Sequence, residues 1–316
     1  MFLYTYYYLF FHEKRLNPPH GRGLWIMNDE FLPGSVLFRP PDFEKIRKAG
    51  LSAVDMHFHT SHSDSWTPVK DALRLARKKG VGVAITDHNE VAGVLEAARS
   101  KEDVFLIPGI EIGAADGPHI LAYFYSVPDL VDFFRMHIEP SRLNGPLLPI
   151  CLSTREILEK LGDYCCVTAA AHPCDYILFN RGIMSLLNGG EIEPGILRYI
   201  DAYEVICGSM GRGPNLEAAG WARRASMGIC GGTDGHMLHD LGNVVTCSFG
   251  HDPDDFLDSV AGLETLVIGR EKSLPGKAIM GACVLPFYVR HAVPSIRIQY
   301  RQNLPRITKF ITGLGR

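Results

Sequence analysis

The side chains most suggestive of chemistry begin in one short segment, residues 55–64, which reads DMHFHTSHSD. His57 and His59 lie one residue apart on an apolar, strand-like run, so both imidazoles project from the same face of the strand. Imidazole is the commonest metal-binding side chain. A carboxylate, Asp64, follows at a position from which a loop could fold it back. The pattern therefore predicts the metal site of a hydrolase.

Further candidate ligands follow at the ends of other strand-like runs. Asp87 and His88 close one such run, where His88 is a candidate ligand and Asp87 a candidate orienting group for an imidazole. Glu111 stands between two isoleucines, where a carboxylate is costly to bury unless it binds a metal or pairs with a cation. The remaining candidates are His119, His172, Asp234 and His236.

The elements that must position these residues alternate between strand-like and helix-like segments. The predicted strands are residues 51–58, 81–86, 104–112, 120–125, 165–171, 202–207, 228–232, 244–249 and 265–268. The predicted helices are residues 68–79, 90–99, 216–225 and 253–261. Repeated βα units indicate a parallel sheet, and the length of 316 residues favours a barrel. Since barrel active sites form at the carboxyl ends of the strands, the candidate ligands should meet at one rim. Residues 129–153 form the longest irregular stretch and are expected to be a lid or a substrate loop.

The combined motifs resemble those of the PHP (polymerase and histidinol phosphatase) family of stand-alone metal-dependent phosphoesterases, from Leu51 to Arg270. The matching motifs are His57-Phe-His59, Ser63-Asp64, Thr86-Asp87-His88, Gly109-Ile-Glu111, His119, His172-Pro173 and Asp234-Gly-His236. The resemblance implies an α/β fold, a distorted (β/α)7 TIM-like barrel with a metal site at the C-terminal strand ends.

The resemblance also implies three divalent metal ions, of Mn, Fe or Zn. The first ion would be held by His57, His59, Glu111 and Asp234. Glu111 would bridge to a second ion that is also held by His119 and His172. The third ion would be held by Asp64, His88 and His236. A hydroxide bridging the first two ions would attack phosphorus.

The catalytic residues expected from this comparison are Glu111 and Asp234, with Asp87 and His62 beside them. His62 has no fixed metal role in the motif, so it is either a solvated loop histidine or a substrate or proton-transfer contact. Many relatives carry glycine after the aspartate of the first motif, whereas Asp64 is followed by Ser65 and Trp66. The loop beside this ligand is therefore bulkier, which bears on substrate access.

Two arginines are candidate substrate contacts. Arg181 and Arg212 lie on loops that follow strand-like runs, where a guanidinium could bind a substrate phosphate through two hydrogen bonds. The alternative for each is a solvated loop arginine.

The predicted activity is metal-dependent hydrolysis of a phosphate ester. A nucleotide or oligonucleotide substrate is favoured by the one-domain length and by the spacing of the first four motifs. Histidinol phosphate is the alternative substrate. Alternatives of another class are an amidohydrolase-like C–N hydrolase, for which no bridging lysine is evident, and a non-catalytic metal-binding domain.

Charge is unevenly distributed along the chain. No Asp or Glu follows Glu271, and eight Lys or Arg residues do; subtracting these eight charges from the formal net charge of −3 leaves −11 for the rest. Such a basic tail is typical of contact with nucleic acid or a membrane surface, and the alternative is a tail lying on its own acidic body. We therefore divide the chain into a lead-in segment 1–50, a metallohydrolase barrel 51–270 and a basic tail 271–316.

The compartment is indicated by cysteine usage and by the apolar segments. The eight cysteines include no Cys-x-x-Cys, and Cys165, Cys166, Cys207 and Cys230 are expected to be small buried hydrophobes, as in a reducing cytoplasm. The apolar start, residues 1–11, lacks the basic residues and cleavage site of a signal peptide. It is too short to span a bilayer, as is the run 278–289. No transmembrane segment is predicted.

Overall fold

A computed structural model describes residues 31–143, 145–174 and 182–313. The chain divides into two compact units, Met1–Leu32 and Pro33–Arg316, and every element described below belongs to the second unit. This unit includes residues 33–50 and the tail, while the functional division at residues 50 and 270 stays a prediction.

Strands and helices alternate through the second unit. The strands are β1 Val36–Leu37, β2 Ser52–Phe58, β3 Gly82–Ile85, β4 Leu106–Gly113, β5 His119–Phe124, β6 Cys166–Ala170, β7 Ala202–Cys207, β8 Gly228–Gly232, β9 Val244–Ser248 and β10 Leu266–Gly269. The helices are α1 Phe43–Lys48, α2 Val69–Lys79, α3 Ala92–Ala98, α4 Val127–Phe133, α5 Thr154–Leu161, α6 Ile183–Gly189, α7 Arg212–Ala225, α8 Pro253–Ala261, α9 Leu274–Val289 and α10 Ala292–Gly313.

These strands form one ten-stranded sheet in the order β1-β10-β9-β2-β3-β4-β5-β6-β7-β8. The predicted all-parallel sheet is wrong in part, because β4–β5, β5–β6, β2–β9 and β9–β10 pair antiparallel. The short connection between β4 and β5 explains the first of these pairings, since a parallel crossover needs a dozen or more residues. The other strand pairs are parallel.

The sheet curls so strongly that β8 approaches β2 closely. A Cβ atom on Gly232 would lie 2.3 Å from the backbone nitrogen of His57, so only glycine permits this approach. Phe58 forms an isolated bridge with Gly235 just beyond the two strands. The resulting half-barrel confirms the predicted α/β, TIM-like fold.

The hydrophobic core anchors β2 and thereby fixes the histidines. Val54 and Met56 are fully buried among the apolar residues of neighbouring strands and of α8. The Tyr123 hydroxyl on β5 donates a 2.7 Å hydrogen bond to the Met56 carbonyl. Because Met56 precedes His57, this contact holds the backbone from which the first imidazole projects.

Several local predictions need correction. Cys165 is exposed because it precedes β6, and Cys166 is half-buried as the first residue of that strand, whereas Cys207 and Cys230 are buried as expected. Residues 129–153 are not wholly irregular, since they begin with α4, a π turn and a 3-10 turn before an extended stretch. All eight cysteines are free thiols.

The tail consists of α9 and α10, for which the sequence analysis predicted no helices. Ser273 caps α9 by accepting a hydrogen bond from the Gly276 N–H, and Pro286 lies inside this helix. Within the described residues, no single helix is long and apolar enough to cross a membrane. The pair Leu274–Val289 and Ala292–Leu304, bent by 104°, meets the length and composition criteria only when taken together.

Candidate metal centre

The nine predicted ligands converge at one rim of the half-barrel. Seven lie near the carboxyl ends of β2, β3, β4, β6 and β8 or just after them, one begins β5, and one lies in the loop after β2. The backbone pairing of β3 with β4 continues past the strand ends, so that His88 lies opposite Glu111. All nine side chains are buried except that of His119, which is 13% exposed, and that of His88, which is 11% exposed.

Glu111 is at the middle of this cluster. Its Oε1 lies 2.7 Å from Nδ1 of His119 and 3.2 Å from Nε2 of His172. Its Oε2 lies 3.2 Å from Nε2 of His57, 3.3 Å from Nε2 of His59 and 2.9 Å from Nδ1 of His88. One carboxylate thus joins imidazoles from the ends of β2, β3, β5 and β6.

The Oε2 atom of Glu111 shows that this packing is unlike an ordinary hydrogen-bonded core. The atom is buried and accepts no hydrogen bond of acceptable geometry from the described residues, although three ring nitrogens lie within 3.3 Å. Ring nitrogens of three histidines therefore converge on this one oxygen. A cation shared between nitrogen and oxygen lone pairs would satisfy all of these atoms, so the donor set fits a divalent metal.

A second group forms around Asp64. Its Oδ1 lies 3.2 Å from Nε2 of His236, and its Oδ2 lies 3.5 Å from Nε2 of His88. The Tyr288 hydroxyl on α9 donates a 3.0 Å hydrogen bond to the same Oδ2. The tail helix therefore contacts a predicted metal ligand directly, a contact with no signal in the sequence motifs.

Three subsets of ligand atoms lie close enough together to share an ion. One contains His57, His59 and Asp234, which is the set predicted for the first ion without Glu111, and another contains Asp64, His88 and His236, the set predicted for the third ion, together with His59. The third, His88, Glu111 and His119, has His88 where the resemblance implies His172, although His172 also reaches Glu111. The clusters could bind divalent metals, and their number and division stay predictions.

Glu204 on β7 completes the cluster and was missed in the sequence. Nδ1 of His57 donates to Oε1 of Glu204 at 2.9 Å, and the His172 N–H donates to Oε2 at 2.7 Å. The signal that could have found Glu204 is the one that found Glu111, a carboxylate within a buried apolar strand. Glu204 orients one ligand and fixes the backbone of another.

The hydrogen bonds on the far side of two rings fix their tautomers. Nδ1 of His57 donates to Glu204, and Nδ1 of His236 donates to the Asp234 carbonyl at 3.0 Å. In the neutral form of each ring, an Nε2 lone pair would therefore face a carboxylate oxygen, of Glu111 for His57 and of Asp64 for His236. Two lone pairs at this separation repel each other unless a proton or a metal cation lies between them.

The pKa values of His57 and His59 depend on the carboxylates and imidazoles that surround them. Burial opposes protonation of His57, but the carboxylates of Glu204, Glu111 and Asp234 outweigh it and raise the pKa of His57 well above its ordinary value. Burial and the imidazoles of His236 and His88 lower the pKa of His59 to about 4. Without metal, His57 therefore holds an additional proton much more tightly than His59, although both are predicted to bind the same ion.

Asp234 is held by groups outside the predicted motifs. The Ser209 hydroxyl donates to its Oδ2, and Lys272 donates to its backbone carbonyl at 3.1 Å. The φ angle of Asp234 is +46° and that of His172 is +29°, values that side-chain-bearing residues rarely adopt. Such strained backbone is common at functional sites, where side chains must be held in fixed directions.

Asp55 and Asp87 organise loops and form no hydrogen bond with an imidazole among the described residues. Asp55 accepts hydrogen bonds from Thr233 at 2.9 and 2.7 Å and from the Gly242 N–H at 2.9 Å. Asp87 accepts from Thr60 at 2.7 and 2.6 Å and from Ser63 at 2.7 Å. Asp87 therefore closes the loop that returns Asp64 to the rim, and the expected orientation of imidazoles falls to Glu204.

His62 and Arg212 lie outside the ligand cluster. His62 pairs with Glu96 at 2.8 Å on the partly exposed loop. Arg212 pairs with both carboxylate oxygens of Glu271, at 2.9 and 3.1 Å, and its guanidinium stacks on Phe38. A role for Arg212 in binding phosphate requires that this pair opens. Arg181 lies outside the described residues.

Trp66, which departs from the family pattern, contacts the tail. Its indole N–H donates to the Cys283 carbonyl at 2.9 Å, and its ring centroid lies 4.7 Å from that of Phe287. Ser65 donates to the His236 carbonyl at 2.8 Å. The bulkier loop therefore joins the rim of the cluster to α9.

Comparison with known proteins places this geometry among related folds. No family model matches the chain. Two proteins of Methanocaldococcus jannaschii are similar in sequence, both uncharacterized: MJ0417 is 26% identical over 195 residues, 60% of this chain and 68% of that protein. MJ1587 is 28% identical over 134 residues, 38% of this chain and 67% of that protein.

Solved structures share the fold at low sequence identity. Endonuclease Q, in complex with a 27-mer duplex carrying an abasic lesion, matches with a TM-score of 0.54 and 14% identity, over 70% of this chain and 60% of that one. The lesion-specific endonuclease PfuEndoQ of Pyrococcus furiosus matches with a TM-score of 0.53 and 16% identity, over 69% and 57%. A provisionally assigned metal-dependent phosphoesterase of Bifidobacterium adolescentis matches with a TM-score of 0.50 and 19% identity, over 75% and 100%.

These similarities bear on the fold. The chain spans about three fifths of the length of the two endonuclease chains. At these identities the likeness establishes the shared fold.

Proposed function

We propose that this protein is a PHP-type, metal-dependent phosphoric ester hydrolase that acts on a nucleotide or a nucleic acid. The observation that carries the proposal is the buried Oε2 of Glu111, which three ring nitrogens surround within 3.3 Å without a hydrogen bond of acceptable geometry. The proposed centre holds three divalent ions, as the motif resemblance implies. Divalent cations at such a centre supply Lewis acidity and acidify water near neutral pH.

The residues of the chain prepare the centre before any substrate arrives. Glu204 holds the Nδ1 proton of His57, so that Nε2 presents a lone pair to the cluster. The Asp234 carbonyl does the same for His236. Ligands fixed in one tautomer and one direction bind a cation without reorganising, which preorganises the site for a developing negative charge.

The ligand composition suits a phosphate substrate. Among the nine proposed ligands, three are carboxylates and six are imidazoles, so three bound divalent ions would leave the centre strongly positive. A phosphate ester carries one or two negative charges and would be attracted to such a rim. Arg212 could add a guanidinium contact if Glu271 released it.

A nucleic-acid or nucleotide substrate is favoured over histidinol phosphate by the structural neighbours. One of them, Endonuclease Q, is bound to duplex DNA with an abasic lesion. An amidohydrolase-like activity is less well supported, because the Asp64, His88 and His236 group exceeds what a two-metal site needs. A non-catalytic metal-binding domain is also disfavoured, since the chain keeps every predicted ligand.

The test is hydrolysis by protein reconstituted with Mn, Fe or Zn. Four substrates are compared: a nucleoside 3′,5′-bisphosphate, a short 5′-phosphorylated RNA, a DNA duplex with an abasic site, and histidinol phosphate. The proposal predicts turnover of at least one nucleotide or nucleic-acid substrate and its loss in Glu111→Gln. Turnover of histidinol phosphate alone would refute the substrate class. Metal-loaded protein that hydrolyses none of the four would refute the activity.

A further inference from the structure

The outer face of α9 is an apolar surface to which the proposed activity assigns no role. Its exposed positions recur at helical spacing and include no charged or hydrogen-bonding side chain between residues 274 and 289. They are Leu274, Pro275, Ala278, Ile279, Gly281, Ala282, Leu285, Pro286 and Val289. Leu285 and Val289 are 62% and 64% exposed. A helix of this length presents a strip of roughly 24 Å, and exposed apolar patches of such extent mark interaction sites.

Contacts on the opposite face keep α9 from turning this strip inward. Met280 is buried, the Cys283 carbonyl accepts from Trp66, and the Tyr288 hydroxyl donates to Asp64. The Lys277 ammonium also points toward the body, where it donates to the Met210 carbonyl at 2.8 Å. The inner face of α9 thus packs against the body, and the apolar strip remains on the outside.

The exposed side of α10 combines apolar residues with arginines. Val293, Ile296, Tyr300 and Leu304 are exposed at helical spacing, and Arg297 and Arg301 are exposed beside them. The Gln302 amide anchors the helix to the Ala115 carbonyl at 3.0 Å. The outer side of this helix is therefore amphipathic and basic, as in helices that lie on membrane surfaces.

Three arginines of the tail form no ion pair within the part of the chain that the structure describes. Within the described residues, Arg290, Arg297 and Arg301 form no ion pair, and Lys272 is the tail residue that pairs with an acid, Asp240, at 3.5 Å. No Asp or Glu follows Glu271 to neutralise them locally. The tail thus lies on the body, but these three arginines form no ion pair with its acids among the described residues.

We propose that α9 and α10 dock the protein onto an anionic membrane surface. The apolar strip would enter the boundary between head groups and acyl chains, while Arg290, Arg297 and Arg301 would contact anionic head groups. A nucleic acid would attract the arginines but would leave the uncharged strip of α9 without a partner. A symmetric second copy would bring unneutralised arginines together, because neither helix carries an acidic residue.

The experiment measures cosedimentation of the full-length protein with vesicles of phosphatidylcholine alone and of phosphatidylcholine with phosphatidylserine, at low and high salt. Two double variants alter the surface, Ile279→Asp with Leu285→Asp and Arg297→Glu with Arg301→Glu. The matched controls are Leu216→Asp and Arg223→Glu, at exposed positions of α7. Thermal melts followed by circular dichroism confirm that each variant is folded.

The proposal predicts binding to phosphatidylserine vesicles that weakens at high salt. Each lost cation should lower partitioning roughly fivefold, equivalent to about 1 kcal/mol, so the arginine double variant should lose at least about 25-fold. The apolar double variant should lose at least about tenfold. Both controls should bind like the wild type.

Three outcomes would overturn the proposal. One is the absence of vesicle binding, and another is binding that both double variants retain. The third is association of a different kind: self-association in analytical ultracentrifugation that Ile279→Asp with Leu285→Asp abolishes, or DNA binding that depends on Arg297 and Arg301, in either case without vesicle binding. None of these readouts requires hydrolytic activity, so the proposal can fail while the proposed function stands.

Discussion

Replacing Glu204 with glutamine should weaken metal binding although Glu204 is not among the predicted ligands. The two carboxylate oxygens of Glu204 accept from Nδ1 of His57 at 2.9 Å and from the His172 N–H at 2.7 Å. A carboxamide has a single acceptor oxygen, so one of these buried donors would face an NH2 group. A buried donor without a partner costs about 1–3 kcal/mol.

The magnitude follows from the position of Glu204 behind two proposed ligands. Loss of such an orienting partner lowers metal affinity about 10–100-fold. At saturating metal this reduces metal-induced stabilisation by about 1.4–2.7 kcal/mol. For a body of this size, the rise in melting temperature on adding metal should then shrink by roughly 3–10 °C.

The assay is differential scanning fluorimetry with and without Mn, supported by titration calorimetry. Tyr125→Phe is the matched control, because it removes a 2.7 Å hydrogen bond to Asp258 without touching a proposed ligand or its neighbours. It should lower the free energy of unfolding by about 1 kcal/mol and leave the metal-induced shift unchanged. If Glu204→Gln behaves in the same way, Glu204 is a structural residue and the argument from its hydrogen bonds is refuted.

Three further predictions follow from contacts at the rim. Tyr288→Phe removes the hydroxyl that donates to Asp64, so metal affinity should fall severalfold with little change in melting temperature; unchanged affinity by calorimetry would exclude that role. Arg212→Ala should raise KM for a phosphorylated substrate and Glu271→Gln should lower it by freeing the guanidinium, whereas equal KM values in steady-state kinetics would remove Arg212 from the site. Gly232→Ala should destabilise the fold by at least about 2 kcal/mol in urea denaturation, because its Cβ would meet the backbone of His57, and a neutral effect would contradict the close approach of β8 to β2.

Much of the fold could be predicted because the signals are local. The strand 202–207 and the strand 228–232 were predicted with the observed limits, since short apolar runs bounded by turn residues define them. The antiparallel pairing of β9 with both β2 and β10 could not be predicted, because the pairing depends on which strands meet in space. Alternating βα segments alone do not reveal such reversals.

The candidate site was predictable to the extent that its residues stand in recognisable motifs. Two motifs can be recognised by their residue spacing, the His-x-His pair of β2 and the Asp-Gly-His segment after β8. The structure brings both to the same rim. Glu204 has no partner nearby in sequence, so its role emerges only when β7 lies beside the end of β2. Tyr288 is 224 residues from Asp64 and carries no motif at all.

The tail was the least predictable part, for a physical reason. Its helix α9 lacks the usual alternation of polar and apolar faces and contains Pro286, so neither helical periodicity nor helix propensity identified it. The same absence of a polar face is what makes its outer surface unusual in the folded protein. The feature that hid the helix in the sequence is thus the basis of the proposed membrane contact.

The central claim is that the buried cluster around Glu111 binds divalent metal ions, and metal content tests it most directly. Wild type, Glu111→Gln and the half-exposed control Glu96→Gln would each be reconstituted, dialysed and analysed by inductively coupled plasma mass spectrometry. The account predicts bound metal in the wild type and in Glu96→Gln, with a clear loss in Glu111→Gln. Wild-type protein that retains no metal, or Glu111→Gln that retains as much as the wild type, would contradict it.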